Sequence, residues 1–393
     1  MAGGHTKAAS YRSFPSTAQT QSLSTAISVA RLEYTNIKSV HAFARSHGID
    51  CDLFSGDTVD IIYDDAKWEA AKHAVSMMRE AMPEDLEGAA KYKLWSSEEA
   101  KEKFFVEDDV LDAGHGEVRG AVSYEAGSLS AYKFVIGVLR LCLNLGLELF
   151  TNTPVLKLDR GEDGIWNVET SRGIVKARKV VLATNGYTGF LCNKFQGSIV
   201  PLRGQITAHR PGSAMPATGL STTYSFIYAN GYEYMIPRPS GSEHEGDIII
   251  GGGLVKAANE GLEEFGTTDD SSVNKEISEY LTGTTPRYFG RNWGRDDEEG
   301  RIRKEWTGIM GYSGDEFPFV GRVPAEENLW VAASFQGHGM VLCWMCAKAL
   351  VAMMGKKEEE VEEWFPKVFK VSEERLRVGF RGILHIKPLK KDA

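Results

Sequence analysis

Two junctions in the chain set a turn rich in glycine or asparagine directly after an apolar run: VVLATNGYT at 180–188 and LWVAASFQGHGM at 329–340. Each presents backbone N–H groups at the end of a strand. In the second, those groups also open a helix, so they suit the holding of an anionic or carbonyl group of a ligand. Ligands of open α/β sheets gather at the carboxyl ends of strands, where both turns fall. Either turn alone is better read as a tight turn of permissive residues, and it is the two together that point to a ligand.

Around these junctions lie side chains able to line a pocket: Tyr228, Tyr232, Tyr234, Arg238 and Trp306. The tyrosines also fit the half-buried face of a sheet. Arg238, between Pro237 and Pro239, fits a surface or ion-pair role as well as a substrate contact. His338, flanked by glycines, is either a ligand-facing or a backbone-bonded histidine. Cys343 and Cys346 have redox-like spacing but sit inside an apolar helical run, which points to packing. No His, Cys, Asp or Glu cluster has zinc spacing, so no metal is expected.

The elements that must position these residues can be read from periodicity. Apolar positions recur at helical spacing over 24–46, with Gly48 as a stop, and a second helix is expected over 66–82 before Pro83. Residues 51–64 read as one or two short strands around a turn at Ser55, Gly56 and Asp57. A third helix is expected over 129–145, then a strand at 147–151. An antiparallel meander follows at 155–158, 166–170 and 174–177. The run 179–183 is apolar throughout, as a strand buried on both faces would be. Further strands are expected at 204–209, 232–237, 247–251 and 328–333, a surface excursion at 259–272, and helices at 273–281 and 341–354.

The whole chain has 393 residues, of which 42% are hydrophobic and 25% charged, which suits a folded protein of two packed domains rather than a disordered one. With 45 Lys plus Arg against 54 Asp plus Glu, the net charge of -9 and the lack of a basic stripe speak against a nucleic-acid partner. Five scattered cysteines fit a reducing, cytoplasmic setting better than a disulfide framework. No apolar stretch has the length of a membrane span, and none is expected. The oligomeric state is left open by the sequence.

Six segments carry, in order, a resemblance to a known family: Gly3, Gly4 and His5; 125–129 (EAGSL); 183–187 (ATNGY); 201–205 (PLRGQ); 311–321; and 337–340 (GHGM). Together they resemble the FAD-dependent oxidoreductases of the D-amino-acid oxidase superfamily, which includes glycine and sarcosine oxidases. The likeness is nearest to the gamma-glutamylputrescine-oxidase-like branch. It implies an α/β (α+β) fold, with a Rossmann-like FAD-binding domain and a mixed or antiparallel-sheet substrate domain. Residues 1–50, 120–200 and 300–355 would form the first, 51–119 and 201–299 the second, and 356–393 a carboxyl-terminal extension.

The resemblance also implies roles. Gly3, Gly4 and His5 would pass near the flavin ring, and Ala183, Thr184 and Asn185 would approach the pyrophosphate or ribose. Gly311, Asp315 and Gly321, with Gly337, His338, Gly339 and Met340, would hold the flavin's pyrimidine end, where N–H groups stabilise negative charge. His338, Tyr234 and Arg238 would act on the substrate, a small amine or amino acid. Met310 stands where related enzymes carry the Arg that clamps a substrate carboxylate, and a thioether forms no bidentate ion pair. The G-x-G-x-x-G turn with which such enzymes begin is missing, so the FAD-binding domain is expected to be incomplete, its first βαβ unit cut away. The expected reaction is FAD-dependent oxidation of a C–N bond to an imine; the alternative is a non-catalytic binding or regulatory remnant that no longer holds FAD.

Overall fold

The computed structural model describes residues 3–109 and 114–381. Among the described residues, contacts gather 3–109, 114–135, 204–264 and 269–308 into one compact unit and 136–203, 265–268 and 309–381 into another. Residues 3–50 and 120–135 thus fall in the same unit as 51–109 and 114–119.

The chain opens with β1 (His5–Thr6), α1 (Phe14–Thr20), α2 (Leu23–Ser46), β2 (Phe54–Ile62), α3 (Asp65–Ala81), β3 (Tyr92–Trp95), α4 (Ser97–Phe104) and β4 (Gly120–Ser128). The start of α2 is set by Ser22, whose hydroxyl accepts the Thr25 N–H at 3.1 Å, a cap worth about 1 kcal/mol. Asp64 caps α3 in the same way through the Lys67 N–H at 2.9 Å. The turn expected at 55–57 does not form. Every residue of β2 pairs with β4 in one antiparallel register, from Phe54 with Ser128 to Ile62 with Gly120. A continuous ladder of that length overrides the turn preference of Ser-Gly-Asp.

Next come α5 (Ala131–Asn144), β5 (Val155–Arg160), β6 (Trp166–Thr170), β7 (Gly173–Ala177), β8 (Val180–Leu182) and α6 (Thr188–Leu191). The meander forms as expected, a three-stranded antiparallel sheet of its own. Residues 147–151, expected as a strand, pair with nothing in a ladder among the described residues, and Leu147 and Phe150 are exposed. A strand without a neighbour leaves its backbone groups to water, so apolar composition alone does not make one. Nor is β8 buried on both faces. It is the edge of the sheet β14-β15-β8, with Leu182 buried and Val181 exposed.

The remainder comprises β9 (Ile199–His209), β10 (Thr223–Tyr228), β11 (Gly231–Pro237), β12 (Ile248–Gly251), α7 (Lys275–Thr282), α8 (Thr284–Phe289), β13 (Ile302–Ser313), β14 (Phe319–Arg322), β15 (Leu329–Ala333), α9 (Gly339–Met354) and α10 (Glu373–Leu376). The expected surface excursion at 259–272 is only partly on the surface, because Gly261 and Glu264 are buried. A nine-stranded mixed sheet runs β1-β4-β2-β10-β11-β12-β9-β13, with β3 beside β4. The pair β2 and β10 is parallel and β10, β11 and β12 are antiparallel.

Strand geometry gives the sheet of the first unit two different faces. On one, Val59, Ile61, Tyr224, Phe226, Met235 and Ile250 pack into an apolar core with Tyr288, Phe289 and Trp293. On the other, Ile62, Val122, Tyr124 and Ile227 pack with Tyr11, Phe14 and residues of α2 and α3. That second face also carries Thr58, Asp60, Thr223 and Ser225, each with no exposed surface. Polar side chains in that number on a buried sheet face must be satisfied by partners, and they are what sets the candidate site apart.

Candidate functional site

Asp60 lies at the centre of the polar face. Its carboxylate accepts from Tyr11 Oη at 2.8 Å, from Tyr124 Oη at 3.0 Å and from the Lys7 ammonium, which also reaches Ser225 Oγ. Register explains the convergence. Asp60 on β2 is level with Ser225 on β10, and Ser225 is level with Tyr234 on β11. β1 adds His5 on the same face, because His5 pairs with Ser128, two and four residues along β4 from Ala126 and Tyr124. The His5 Nε2 atom lies 2.7 Å from Thr223 Oγ1. Thr6 points the other way, to His41 Nε2 at 2.8 Å.

Tyr234 occupies space that two glycines leave for it. A methyl group on Gly3 would come within 2.5 Å of its ring, and one on Gly251 within 2.5 Å of its hydroxyl. The rings of His5 and Tyr234 are 6.3 Å apart, centre to centre. Burial, reinforced by the Lys7 charge, holds the His5 imidazole well below its usual pKa, so it is neutral. Burial brings Lys7 down to about 8 against the opposing pull of Asp60. An ammonium with that pKa can exchange a proton near neutrality, and it is placed beside a neutral imidazole and a phenol.

The opposite face holds a second polar cluster. Glu233 accepts from Tyr228 Oη at 2.7 Å and from Tyr288 Oη, and burial pushes its carboxyl pKa up. His115 stacks on Tyr228 at 3.7 Å and its Nε2 meets Tyr280 Oη at 2.7 Å. Tyr228, one of the expected pocket residues, is thus tied into this core. Arg238 is engaged by Asp52 at 2.9 Å and by the Glu243 carbonyl at 2.9 Å.

In the second unit the two strand-to-turn junctions meet. Asn185, just past β8, accepts the backbone N–H groups of Ser334 and Phe335 at 2.9 and 3.2 Å through Oδ1. A methyl group on Gly186 would lie 2.4 Å from the Met310 carbonyl, and one on Gly311 2.8 Å from Gly186 N, so both glycines are required by close backbone packing. Gln336 ties the turn down, its N–H donating to the Gly311 carbonyl at 3.1 Å and its Nε2 to Ser313 Oγ at 2.7 Å. Of the other expected contacts, Thr184 meets Thr188 Oγ1 at 2.9 Å and Ala183 is exposed.

His338 is exposed, with Nδ1 3.0 Å from the Gln336 carbonyl, and it precedes α9, to which its own side chain gives no cap. The amino end of this 16-residue helix suits a ligand carbonyl or anion. Gly337 and Gly321 both have positive φ, 72° and 136°, in keeping with glycine. Asp315 does something sequence did not suggest: it is gripped by Arg375 Nε and Nη2, the latter at 3.0 Å, and accepts from Ser313 Oγ at 3.0 Å. That pair fixes the loop between β13 and β14. Also in this unit is a recess of about 570 Å³ lined by Tyr187, Phe190, Ile199, Val200, Pro201 and backbone of Gly186. Such a wall suits the flat apolar surface of a ligand.

The Asp60 cluster was missed in sequence because its members, Lys7, Tyr11, Asp60, Tyr124 and Ser225, are spread over 218 residues between Lys7 and Ser225. Only the alternation of polar residues in 54–62 hinted at it. Among the described residues, no group of three His, Cys, Asp or Glu could hold a metal, and no helix is long and apolar enough to cross a membrane. Cys346 is buried and Cys343 exposed, so packing accounts for only the first.

A family profile described as "FAD dependent oxidoreductase" matches residues 2–353. Glycine oxidase of Pseudomonas aeruginosa is 24% identical over 219 residues, 55% of this chain and 52% of that protein. A probable oxidoreductase, OrdL, of Haemophilus influenzae is 23% identical over 246 residues, 61% of this chain and 51% of that one. The chain thus spans about half the length of the curated relatives it matches. Among solved structures, glycine oxidase from Geobacillus kaustophilus superposes with a TM-score of 0.67 at 18% identity, covering 89% of this chain and 82% of that one. The L-proline dehydrogenase of P. horikoshii gives 0.64 at 20% identity, covering 87% and 83%.

Proposed function

The chain belongs to the FAD-dependent oxidoreductases of the D-amino-acid oxidase family, and on that premise we propose that it oxidises the C–N bond of a small amine or amino acid to an imine, which water then hydrolyses. The observation that carries the proposal is the polar sheet face, where neutral His5, Lys7 near its pKa and Tyr234 stand together on a rigid scaffold. Enzymes whose names specify glycine or L-proline share the fold.

FAD, when bound, supplies the acceptor for the two electrons leaving the carbon of the C–N bond. The second unit has groups that fit its flavin end: the amino end of α9, the turn at Gly337, His338 and Gly339 with Met340, and the apolar recess. Gly311, held against Asn185 and Gly186, lies at the same turn through Gln336. Asn185 acts by fixing the backbone of Ser334 and Phe335, and Asp315 and Gly321 by fixing the β13 to β14 connection.

A substrate amine arrives as an ammonium and must lose a proton before the bond can be oxidised. Lys7 in its neutral form takes that proton, and Asp60 stabilises the lysinium that results. Tyr234, in the space that Gly3 leaves for it, orients the substrate nitrogen through its hydroxyl, and Gly4 lets β1 pack against the Leu129 carbonyl. His338 stands at the mouth of the turn. Arg238, engaged by Asp52, contributes by holding the end of β11.

The test is spectroscopic. Protein mixed with FAD and freed of unbound FAD by gel filtration should keep a flavin band near 450 nm that bleaches when an amine substrate is added without oxygen. Folded protein that stays colourless through an FAD titration would sink the enzymatic reading and leave a binding role for the pocket.

A further inference from the structure

Arg375 lies past residue 353, where the match to the family profile stops, yet all of its N–H donors are engaged. Nε and Nη2 fork onto Asp315 at 2.6 and 3.0 Å. Nη1 donates to the carbonyls of Pro318 and Lys370 at 3.0 and 3.1 Å, and Nη2 also donates to that of Phe317 at 3.0 Å. The guanidinium lies over the Phe319 ring, 4.2 Å from its centre. The short helix α10 sets this position: the Ser372 hydroxyl accepts the Arg375 N–H at 3.2 Å, and Ser198 Oγ holds the Leu376 carbonyl at 2.7 Å. A planar fork with every donor used differs in kind from a surface ion pair, and a lysine could not reproduce it.

Asp315 carries the constraint inward. Its Oδ1 lies 3.0 Å from Ser313 Oγ and accepts the Phe317 N–H at 3.3 Å. Ser313 in turn is bound twice by one amide: Gln336 Nε2 donates to its Oγ at 2.7 Å, and Gln336 Oε1 accepts its N–H at 3.2 Å. Gln336 Nε2 also reaches the carbonyl and the hydroxyl of Ser334, both at 2.9 Å. Ser334 and Gln336 have φ of 65° and 53°, directly before Gly337 at 72°. Left-handed backbone is strained in residues other than glycine and persists only where the surroundings hold it. Gln336 supplies that hold, and the partner it grips is fixed from Arg375.

We infer that Arg375 is a positioning residue for the flavin: through Asp315, Ser313 and Gln336 it keeps the strained turn at 334–337 in the shape that presents the backbone of Gly337 to Met340. A segment beyond the residues matched by the family profile thereby sets how tightly the cofactor is held. The inference rests on the proposed role of that turn at the flavin's pyrimidine end, whereas the hydrogen-bond chain from Arg375 to Gln336 does not depend on flavin.

Hydrogen–deuterium exchange of the full chain without FAD, followed by mass spectrometry, reads the turn directly. Arg375→Met should speed exchange over 334–340 by about 10-fold or more and leave the β5 to β7 meander unchanged. Arg375→Lys should fall between wild type and Arg375→Met. Asp315→Ala should act like Arg375→Met, and adding Arg375→Met to it should change exchange by less than about 3-fold, because the two residues act in one chain. In FAD titrations read by flavin fluorescence, Arg375→Met should raise Kd about 10- to 100-fold, with the visible band of the bound flavin moved toward that of free FAD. Exchange at 334–340 that stays as in wild type overturns the inference. So does a rise spread evenly over the meander, which would make Arg375 merely structural, or full additivity in the double variant. An unchanged Kd for FAD in a variant whose turn has loosened overturns the role toward flavin. Should wild-type protein bind no FAD while exchange at the turn still follows Arg375, the oxidase reading falls and the coupling of Arg375 to the turn stands.

Discussion

The Oδ1 atom of Asn185 lies 2.9 Å from the backbone nitrogen of Ser334, so a single side-chain oxygen ties the end of β8 to the end of β15. These strands are parallel neighbours, and a parallel pair cannot be closed by a hairpin. Asn185 also has a positive φ of 42°, which asparagine tolerates better than most residues. Asn185→Ala leaves two N–H groups without their acceptor and adds backbone strain. It should cost about 2–4 kcal/mol by chemical denaturation. Asn185→Asp keeps the oxygen and should lose less than half of that. Equal losses in both variants would show that the acceptor is not what matters.

Removing one member of the buried pair on the polar face should be worse than removing both. Asp60→Asn leaves the Lys7 ammonium buried with a neutral partner, at a cost of about 3–5 kcal/mol. The double variant Lys7→Met, Asp60→Leu should be destabilised by less than Asp60→Asn alone, and so by far less than the single losses added together. Additive losses in urea titrations would rule out the pairing.

Glu33, in α2, is buried and bonded to Ser10, and burial raises its pKa from the ordinary carboxyl value to about 7. A carboxyl raised on folding stabilises the native state below its unfolded pKa of about 4.5, and that stability is lost as pH rises through 7. The difference corresponds to about 3 kcal/mol. Stability should therefore decline between pH 5 and 8 in the wild type, and Glu33→Gln should flatten that decline. An unchanged slope in Glu33→Gln, followed by thermal melting across the range, would assign the decline to other groups.

Two glycines near the amino end should respond differently to a methyl group. Gly4 has φ 92°, and a Cβ there would sit 2.0 Å from the Leu129 carbonyl. Gly48 has φ 60° and open space around it. Gly4→Ala should cost about 2–4 kcal/mol and displace β1, whereas Gly48→Ala should cost about 1 kcal/mol from strain alone. Similar melting temperatures for the two variants would contradict the close approach of Gly4 to Leu129.

How much of this was legible in the sequence follows from the range of the forces involved. Helices at 24–46 and 66–82 were, because their caps and apolar stripes are local, and so were the three strands of the meander. Their observed bounds, Leu23–Ser46 and Asp65–Ala81, differ by a residue or two at the ends. β2 was misread as broken because its ladder partners in β4 lie 58 to 74 residues away in sequence. The strand expected at 147–151 had the composition of a strand but not a neighbour. In the candidate site, Tyr234, Asn185 and the Gly337 to Met340 turn were visible as types in context, and the turn cluster around Asn185 joined two motifs that the sequence had singled out separately. Asp60, Lys7 and Arg375 were not visible. An aspartate between valine and isoleucine reads as a residue on a solvated face until register shows that helices cover it.

The uncovered apolar residues of the second unit bear on how the protein behaves in bulk. Leu143, Leu145, Leu149 and Phe150 are all exposed, Leu145 at 88%, and among the described residues the outer edge of β8 pairs with no strand. Greasy surface beside free backbone donors and acceptors is adhesive to other chains. The colloidal behaviour of this protein should therefore be governed by this region. Salting-out agents should precipitate it early, fluorescent hydrophobic dyes should light up on the native state, and dilution should do more than temperature to keep it in solution.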